Sequence, residues 1–284
     1  MGSNLVFDLP YYDSLNSARE TILRQLVASI RKDLELRTAV DIGCGVGRFA
    51  SLLHDLGFEV LALDGRHENV NEAKRRFPEI DFRVADAEDA AIRTFGKFDL
   101  ALFFGLFYHL ENPFIAIRNL FAVTARVAIL EGICVPGDEP VFAVRDEAPT
   151  KDQGLRNVAL YPTEAGLVKL LYRAGYSYVF RLVIVPEFPE YSSSPVRRRA
   201  RTMLVASSVP LSSVLLRLTG EPATDLDPWA IRNSPSSLLI RGGRAVPRLW
   251  RFAAKPWPEK QAILGQKWKR LFSSETSGDA KVRD

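Results

Sequence analysis

Five short apolar segments alternate with helical segments between residues 38 and 134, and this alternation constrains the fold more than any other feature of the sequence. Each apolar segment is continuous rather than alternating in polarity, which is typical of strands that are buried on both faces. Strands that alternate with helices at this spacing predict a parallel sheet with helices on both sides. The predicted strands are 38–43, 58–65, 80–89, 98–105 and 126–134.

The chain after these strands carries one long irregular stretch before helical and strand patterns return. Residues 135–157 are polar and rich in Pro and Gly, so we predict a long loop of the kind that forms lids or binding loops. A helix is predicted at 163–175, with Thr163 as its N-cap. Two further strand patterns lie within 176–206.

The basic charge of the chain is concentrated near its C-terminus. The formal net charge is +4, yet residues 241–272 contain nine Lys or Arg and a single acid, so the rest of the chain is slightly acidic. Aromatic residues lie between these cations, a composition typical of segments that bind anionic membranes or nucleic acid, and also of a solubilising tail. We predict an N-terminal helix or lid (1–37), an α/β domain (38–208) and a basic, aromatic extension (209–284).

Composition places the chain among ordinary globular proteins. Apolar residues make up 47% and charged residues 25% of the chain, and no apolar run reaches the roughly 20 residues of a membrane span. Two cysteines, Cys44 and Cys134, are too few for a disulfide framework or a zinc cluster, so we predict no metal site. The N-terminus lacks a signal-peptide pattern. We therefore expect a cytoplasmic protein, with peripheral membrane contact through 241–272 as an alternative.

The first predicted strand runs directly into a glycine-rich turn, "VDIGCGVGRF". Gly43, Gly45 and Gly47 allow a sharp turn and let a ligand approach the main chain closely. In an open α/β sheet, ligands bind beyond the carboxyl ends of the strands, which is where this turn lies. Asp41 precedes the glycines, and a carboxylate in that position suits a cofactor that carries a positive charge.

A dinucleotide is the competing interpretation of this turn. The segment from Gly45 to Ala50 loosely fits the G-x-G-x-x-G/A pattern of nicotinamide-binding folds. The acid that should hold a ribose comes too early, because Asp64 lies only 14 residues beyond Ala50. The expected separation is roughly 20 residues, so the spacing disfavours a dinucleotide.

The pattern D-x-G-x-G-x-G at 41–47 resembles the first motif of the class I S-adenosylmethionine (SAM)-dependent methyltransferases. The segments "LALDGR", "RVADAED" and "FDLALFFGLFYHL" resemble the next three motifs, in the same order. The resemblance implies SAM as the cofactor, bound by residues 38–208. It also implies an α/β, Rossmann-like, doubly wound and mostly parallel sheet of seven strands, with an antiparallel terminal hairpin that 176–206 would supply.

The resemblance assigns cofactor roles to the ends of the strands. Asp64 would hold the ribose hydroxyls, and Asp86 would meet the adenine amine. Residues 104–105 would run under the cofactor toward the acceptor. The full predicted cofactor-binding set is Asp41, Gly43, Cys44, Gly45, Gly47, Asp64, Gly65, Arg66, Asp86, Ala87, Glu88, Phe104 and Gly105.

Tyr108 and His109 follow the fourth predicted strand and are the candidate catalytic residues. Methyl transfer mainly requires that the acceptor be positioned and water excluded, but an alcohol or amine acceptor also needs a base. Histidine serves that role near neutral pH. We predict His109 as the base and Tyr108 as a cofactor or acceptor contact; the alternative for His109 is a helix cap or a loop contact.

These residues predict methyl transfer to an oxygen or nitrogen nucleophile of a small molecule, such as a sugar, a lipid-linked compound or a secondary metabolite. The slightly acidic main body favours such an acceptor over nucleic acid. Two alternatives remain open. "FYHLENP" and the "RNV…P" stretch at 156–162 are similar to the enzymes that carboxymethylate a tRNA wobble uridine with a carboxylated SAM. The second alternative is a SAM-fold binding module without turnover, docked by its basic tail.

Overall fold

The computed structural model of the protein describes residues 6–148, 150, 153–193 and 199–222, which form ten strands and five α-helices. The strands are β1 (Thr38–Ile42), β2 (Glu59–Asp64), β3 (Asp81–Val84), β4 (Phe98–Phe104), β5 (Thr124–Ile133), β6 (Phe142–Asp146), β7 (Val158–Pro162), β8 (Tyr178–Leu182), β9 (Arg201–Ser207) and β10 (Leu216–Thr219). The helices are α1 (Pro10–Ile30), α2 (Arg48–Asp55), α3 (His67–Arg76), α4 (Pro113–Val123) and α5 (Glu164–Ala174).

One central sheet carries eight of these strands, in the order β10–β8–β9–β5–β4–β1–β2–β3. The strands from β3 to β5 pair in parallel, whereas β9, β8 and β10 pair antiparallel at the opposite edge. The predicted fold class is therefore confirmed, including its antiparallel terminal hairpin. The additional strand, β10, lies within the segment 209–284 that the sequence assigned to the extension, so the sheet continues beyond residue 208.

Helices cover both faces of the sheet, as its continuously apolar strands require. Leu26 of α1 and Leu53 of α2 pack on one face, together with Ala39 of β1. Val40, the next residue of β1, faces the other side and packs with Ile117 of α4 and Leu171 of α5. Because successive strand residues point to opposite faces, both layers of helices bury apolar surface against the same strands.

The prediction of a long loop at 135–157 is wrong over part of its length. Strands β6 and β7 pair antiparallel as a separate two-stranded ribbon, with Phe142 opposite Pro162 and Asp146 opposite Val158. The sequence does not reveal the ribbon because β6 has no buried side chain, and Val144 is 70% exposed. Without a buried face, a strand lacks the apolar alternation that would reveal it.

No helix among the described residues is long and apolar enough to cross a membrane. The basic segment 241–272, for which the sequence predicted membrane or nucleic-acid contact, lies outside the described residues.

Candidate cofactor and acceptor site

The glycine-rich turn connects β1 to α2 at the carboxyl end of the sheet. Gly43, Gly45 and Gly47 have φ values of 79°, 54° and 92°, a region in which side chains other than glycine are strained. The backbone N–H groups of Gly43 and Cys44 both donate to the Leu63 carbonyl, at 2.7 and 3.0 Å. The end of β2 therefore holds the turn in place beside the strand ends.

The three glycines serve two different purposes. Gly43 and Gly45 line the cavities described below, whereas Gly47 does not. A Cβ atom at Gly47 would come within 2.8 Å of the Phe82 ring and 3.0 Å of the Phe77 ring. Gly47 therefore lets the turn pack closely on the aromatic side chains. A Cβ atom at Gly43 would likewise come within 2.7 Å of Leu106, whereas one at Gly45 would come no closer than 3.4 Å to its nearest neighbour, Phe7.

Asp41 lies at the end of β1 and is fully buried. Burial raises the pKa of its carboxyl group to about 7, and the charge of Asp64 acts in the same direction. Among the described residues its Oδ2 atom has no hydrogen-bond partner, and Asp41 does not line either cavity. A nearby cation would offset the cost of its ionisation, so Asp41 suits a positively charged cofactor through electrostatic attraction rather than contact.

The first cavity lies at the carboxyl ends of β1 to β4, and Asp64 is at its centre. Its Oδ2 atom accepts the Gly45 N–H at 2.9 Å, and Oδ1 accepts from Arg66 N and Asn69 Nδ2 at 2.9 and 3.1 Å. Burial raises the pKa of Asp64 although these hydrogen bonds oppose the rise. The predicted cofactor residues that line this cavity are Gly43, Gly45, Asp64, Gly65, Arg66, Asp86, Ala87, Glu88 and Gly105.

Two acids at the far end of the first cavity are bridged by an arginine that the sequence analysis missed. Arg156 donates to Glu88 Oε2 at 2.6 Å and to Asp86 Oδ2 at 3.1 Å. Asp86 also accepts the backbone N–H of Glu88, at 2.9 Å. The carboxylates expected at the adenine edge are therefore fixed and charge-compensated by the connection between β6 and β7.

The second cavity adjoins the first and is lined by residues from α1, the glycine turn, β4 and β9. Its volume is about 320 Å3. Cys44 and Phe104, both predicted as cofactor contacts, lie here rather than in the first cavity. The residues that line both cavities are Phe7, Gly43, Gly45, Gly105 and His109.

Tyr108 and His109 belong to a short helical turn, Phe107–His109, that follows β4. His109 lines both cavities, and Tyr108 lines the second. Burial raises the pKa of Tyr108, which keeps its hydroxyl group neutral. A Cβ atom at Gly132 would lie 2.7 Å from the Tyr108 ring, so a glycine in β5 is needed to seat this tyrosine.

Glu147, which the sequence analysis did not single out, contacts His109 directly. Its Oε1 atom is 2.6 Å from His109 Nδ1, and its Oε2 atom accepts the Gly154 N–H at 2.9 Å. The two side chains are separated by 38 positions. No local pattern links residues that far apart, and the ribbon that brings them together was itself not predicted.

A buried ionic cluster of Arg19, Glu131 and Arg201 lies against the second cavity. Arg19 Nη2 is 2.5 Å from Glu131 Oε2, and Arg201 Nη1 is 3.0 Å from Glu131 Oε1. Tyr191 also donates its hydroxyl hydrogen to Glu131. Both arginines line the cavity. The sequence could have identified Glu131 as a candidate, because it is an acid within the mostly apolar strand pattern "RVAILEGIC".

Residues 40–131 match a family model described as a methyltransferase domain. A ubiquinone biosynthesis O-methyltransferase from Xanthomonas oryzae pv. oryzae is 33% identical over 94 residues, which cover 32% of this chain and 39% of that protein. A protein of the same name from Caulobacter vibrioides is 33% identical over 87 residues, 29% of this chain and 34% of that protein. The chain thus spans well under half the length of these curated relatives.

Solved structures show the same fold at low sequence identity. The N-terminal domain of EvdMO1 with bound S-adenosylhomocysteine has a TM-score of 0.55 and 18% identity, over 66% of this chain and 80% of that chain. A putative SAM-dependent methyltransferase from Listeria monocytogenes has a TM-score of 0.51 and 15% identity, over 69% of this chain and all of that chain.

The residues of the two cavities fit SAM. Acids end β2 and follow β3, where a ribose and an adenine would lie. Gly105 leaves room beneath the ligand, because the Tyr108 hydroxyl, at 3.8 Å, is the nearest atom to a Cβ placed there. Asp41 supplies negative charge for a sulfonium or an ammonium group. Strand order alone is compatible with several nucleotide-binding proteins, but residues 40–131 are similar to a methyltransferase domain, and the central sheet has the fold of solved SAM-dependent methyltransferases.

Proposed function

We propose that the protein transfers a methyl group from SAM to an oxygen or nitrogen nucleophile of a small-molecule acceptor. The observation that carries this proposal is the junction of the two cavities at Gly43, Gly45, Gly105 and His109. A donor held in the first cavity and an acceptor held in the second would meet at this junction. Holding both reactants in line accounts for much of the acceleration in such a displacement.

The second cavity has the size and walls of a small-molecule site. Its volume of about 320 Å3 lies within the roughly 300–1,000 Å3 of typical ligand pockets. Phe49, Phe104 and Tyr108 supply aromatic wall, and Arg19 and Arg201 supply donors at its buried side. These features favour a compact acceptor with a ring or apolar part over a polynucleotide.

SAM, when bound, supplies a methyl group on a positively charged sulfur. The residues of this chain bind the donor, exclude water and take the proton of the acceptor. Asp64 and the glycine turn hold the donor, while Phe104 and Tyr108 exclude water from the junction. His109 is the side chain at the junction that can take a proton from the acceptor.

The names of the related proteins favour oxygen as the nucleophile. The proteins of Xanthomonas and Caulobacter are both described as O-methyltransferases. Because the matches cover less than two-fifths of those proteins, their ubiquinone-pathway acceptor is not transferred to this chain.

Calorimetry with SAM tests the donor half of the proposal. The wild-type protein should bind SAM, and Asp64→Ala should weaken binding at least tenfold, because the predicted ribose contact is lost. Asp81→Ala is the matched control, since Asp81 is an exposed acid paired with Arg83 outside both cavities. A wild-type protein that does not bind SAM would refute the proposal.

Release of S-adenosylhomocysteine in the presence of candidate acceptors tests the acceptor half. Small hydroxyl and amine compounds should support turnover, and unmodified tRNA should not. Turnover with tRNA alone would favour the uridine-modifying alternative. Binding of SAM without turnover on any acceptor would favour a binding module.

A further inference from the structure

We propose that Glu147 is the positioning residue for His109, and that the acceptor nucleophile is therefore a hydroxyl oxygen. The inference rests on the proposed methyl transfer and narrows its acceptor. It starts from the 2.6 Å contact between Glu147 Oε1 and His109 Nδ1. The Glu147 side chain is only 2% exposed, so the contact is shielded from water.

Glu147 determines which nitrogen of His109 faces the reaction. An ionised carboxylate can only accept hydrogen bonds, so it keeps the imidazole proton on Nδ1 and leaves a lone pair on Nε2. His109 lines both cavities, and with Nδ1 engaged, Nε2 is the nitrogen that remains for the acceptor. The second carboxylate oxygen is occupied by the Gly154 N–H at 2.9 Å, which fixes the rotation of the carboxyl group.

The position of Glu147 is itself fixed by the cofactor side of the site. The Arg66 guanidinium donates to the carbonyls of Gln153 and Gly154, at 3.0 and 2.9 Å. Gly154 lies directly against His109, because a Cβ atom there would be 2.1 Å from the His109 carbonyl oxygen. Arg66, which lines the donor cavity, therefore fixes the backbone at Gly154, and the Gly154 N–H in turn fixes the Glu147 carboxylate.

A hydroxyl group is the class of nucleophile that needs a base oriented as His109 is by Glu147. As the O–CH3 bond forms, the S–CH3 bond breaks and sulfur keeps its electron pair, so the oxygen must lose its proton. That proton passes to Nε2 of His109, and the carboxylate of Glu147 stabilises the imidazolium. A neutral amine attacks with its own lone pair, and a thiol with an ordinary pKa of about 8.5 ionises readily, so neither depends on a buried base to this extent.

Nitrogen-15 NMR tests the geometry without an acceptor. The chain has three histidines, so a His109→Asn spectrum assigns the signals of His109. We expect a strongly hydrogen-bonded, low-field proton on Nδ1 that disappears in Glu147→Gln. It should persist in Glu111→Gln, a control at a half-exposed acid 3.6 Å from Arg156. A wild-type His109 protonated on Nε2 alone, or a signal unaffected by Glu147→Gln, would overturn the proposal.

Kinetics with catechol as the hydroxyl probe and aniline as the amine probe test the chemistry. Glu147→Gln should lower kcat on catechol by about 10- to 100-fold, with little change in KM for SAM. This loss is at or below the low end of the roughly 100- to 10,000-fold contribution of a general base, because His109 itself is retained. Glu147→Asp should restore part of the loss. Methylation of aniline alone, with kcat equal in both proteins, refutes the hydroxyl assignment and leaves methyl transfer standing. Failure of the wild type to bind SAM refutes methyl transfer, whereas the NMR result still decides the role of Glu147.

Discussion

The environment of Asp41 predicts how the stability of the protein depends on pH. Its pKa rises from an ordinary 3.8 to about 7 on folding, mainly through burial. Between those two values the folded protein binds a proton that the unfolded chain has released, so the free energy of unfolding falls as pH rises. A shift of this size corresponds to at most about 4 kcal/mol.

We expect Asp41→Asn to remove most of this dependence. Urea unfolding at pH 5 and pH 7.5 should show a large loss of stability in the wild type and a small one in the variant. SAM should also bind the wild type more tightly at the higher pH, because its positive charge favours ionised Asp41. If the free energy of unfolding of Asp41→Asn changes with pH as much as that of the wild type, Asp41 is not the source of the pH dependence.

Glu131 is the residue on which the buried cluster depends for charge balance. Replacement by Gln would leave Arg19 and Arg201 buried without a counter-charge between them. Breaking a buried pair in this way costs about 3–5 kcal/mol, so Glu131→Gln should lower the free energy of unfolding by that amount. Glu190→Gln is the control, since Glu190 also contacts Arg201 but is partly exposed. Similar losses in both variants, measured by urea unfolding, would contradict the prediction.

Most residues that line the first cavity were predictable because they lie at consecutive strand ends along the chain. Asp64 and the glycines lie at or just after the ends of predicted strands, and strand ends determine where such residues meet. Arg19 and Arg201 come from α1 and β9, and Glu147 directly follows β6. Their encounter depends on tertiary packing, which no local pattern encodes.

At the scale of elements, helix ends were predictable and the ribbon was not. Thr163 caps α5 as expected, because its hydroxyl oxygen accepts the Gly166 N–H at 3.0 Å within one turn. The ribbon pairs residues as far apart as Phe142 and Pro162, and its first strand, β6, has no buried side chain, whereas β7 buries Ala159 and Pro162. The contact of Glu147 with His109 likewise joins residues that only the complete fold brings together.

Gly154→Ala tests the docking of the connection between β6 and β7. The new Cβ atom would overlap the His109 carbonyl oxygen, so the backbone must move away and the Glu147–His109 contact should open. The cost of such overpacking is about 1–3 kcal/mol, measurable by thermal unfolding. The low-field proton of His109 should also vanish.

Gly220→Ala is the control, because a Cβ atom there meets nothing within 4 Å. If Gly154→Ala retains both stability and the His109 signal, the close docking of this segment is refuted.

At the scale of the whole molecule, the described residues that line the two cavities all precede the basic tail. Every described residue that lines them lies between Phe7 and Arg201, and residues up to Thr224 form a compact unit. A chain that ends at Thr224 should therefore bind SAM with an affinity within about twofold of the full chain by calorimetry. A larger loss would mean that the tail contributes to the site.

The junction of the two cavities also has a consequence for how new specificities arise. Most of the residues that line the first cavity lie within 40–131, the stretch that the family model matches. The walls of the second cavity include side chains from both flanks of that stretch, α1 before it and β9 after it. Under the proposed methyl transfer, we therefore expect that exchange of these flanks between related chains would change the acceptor more than the methyl donor.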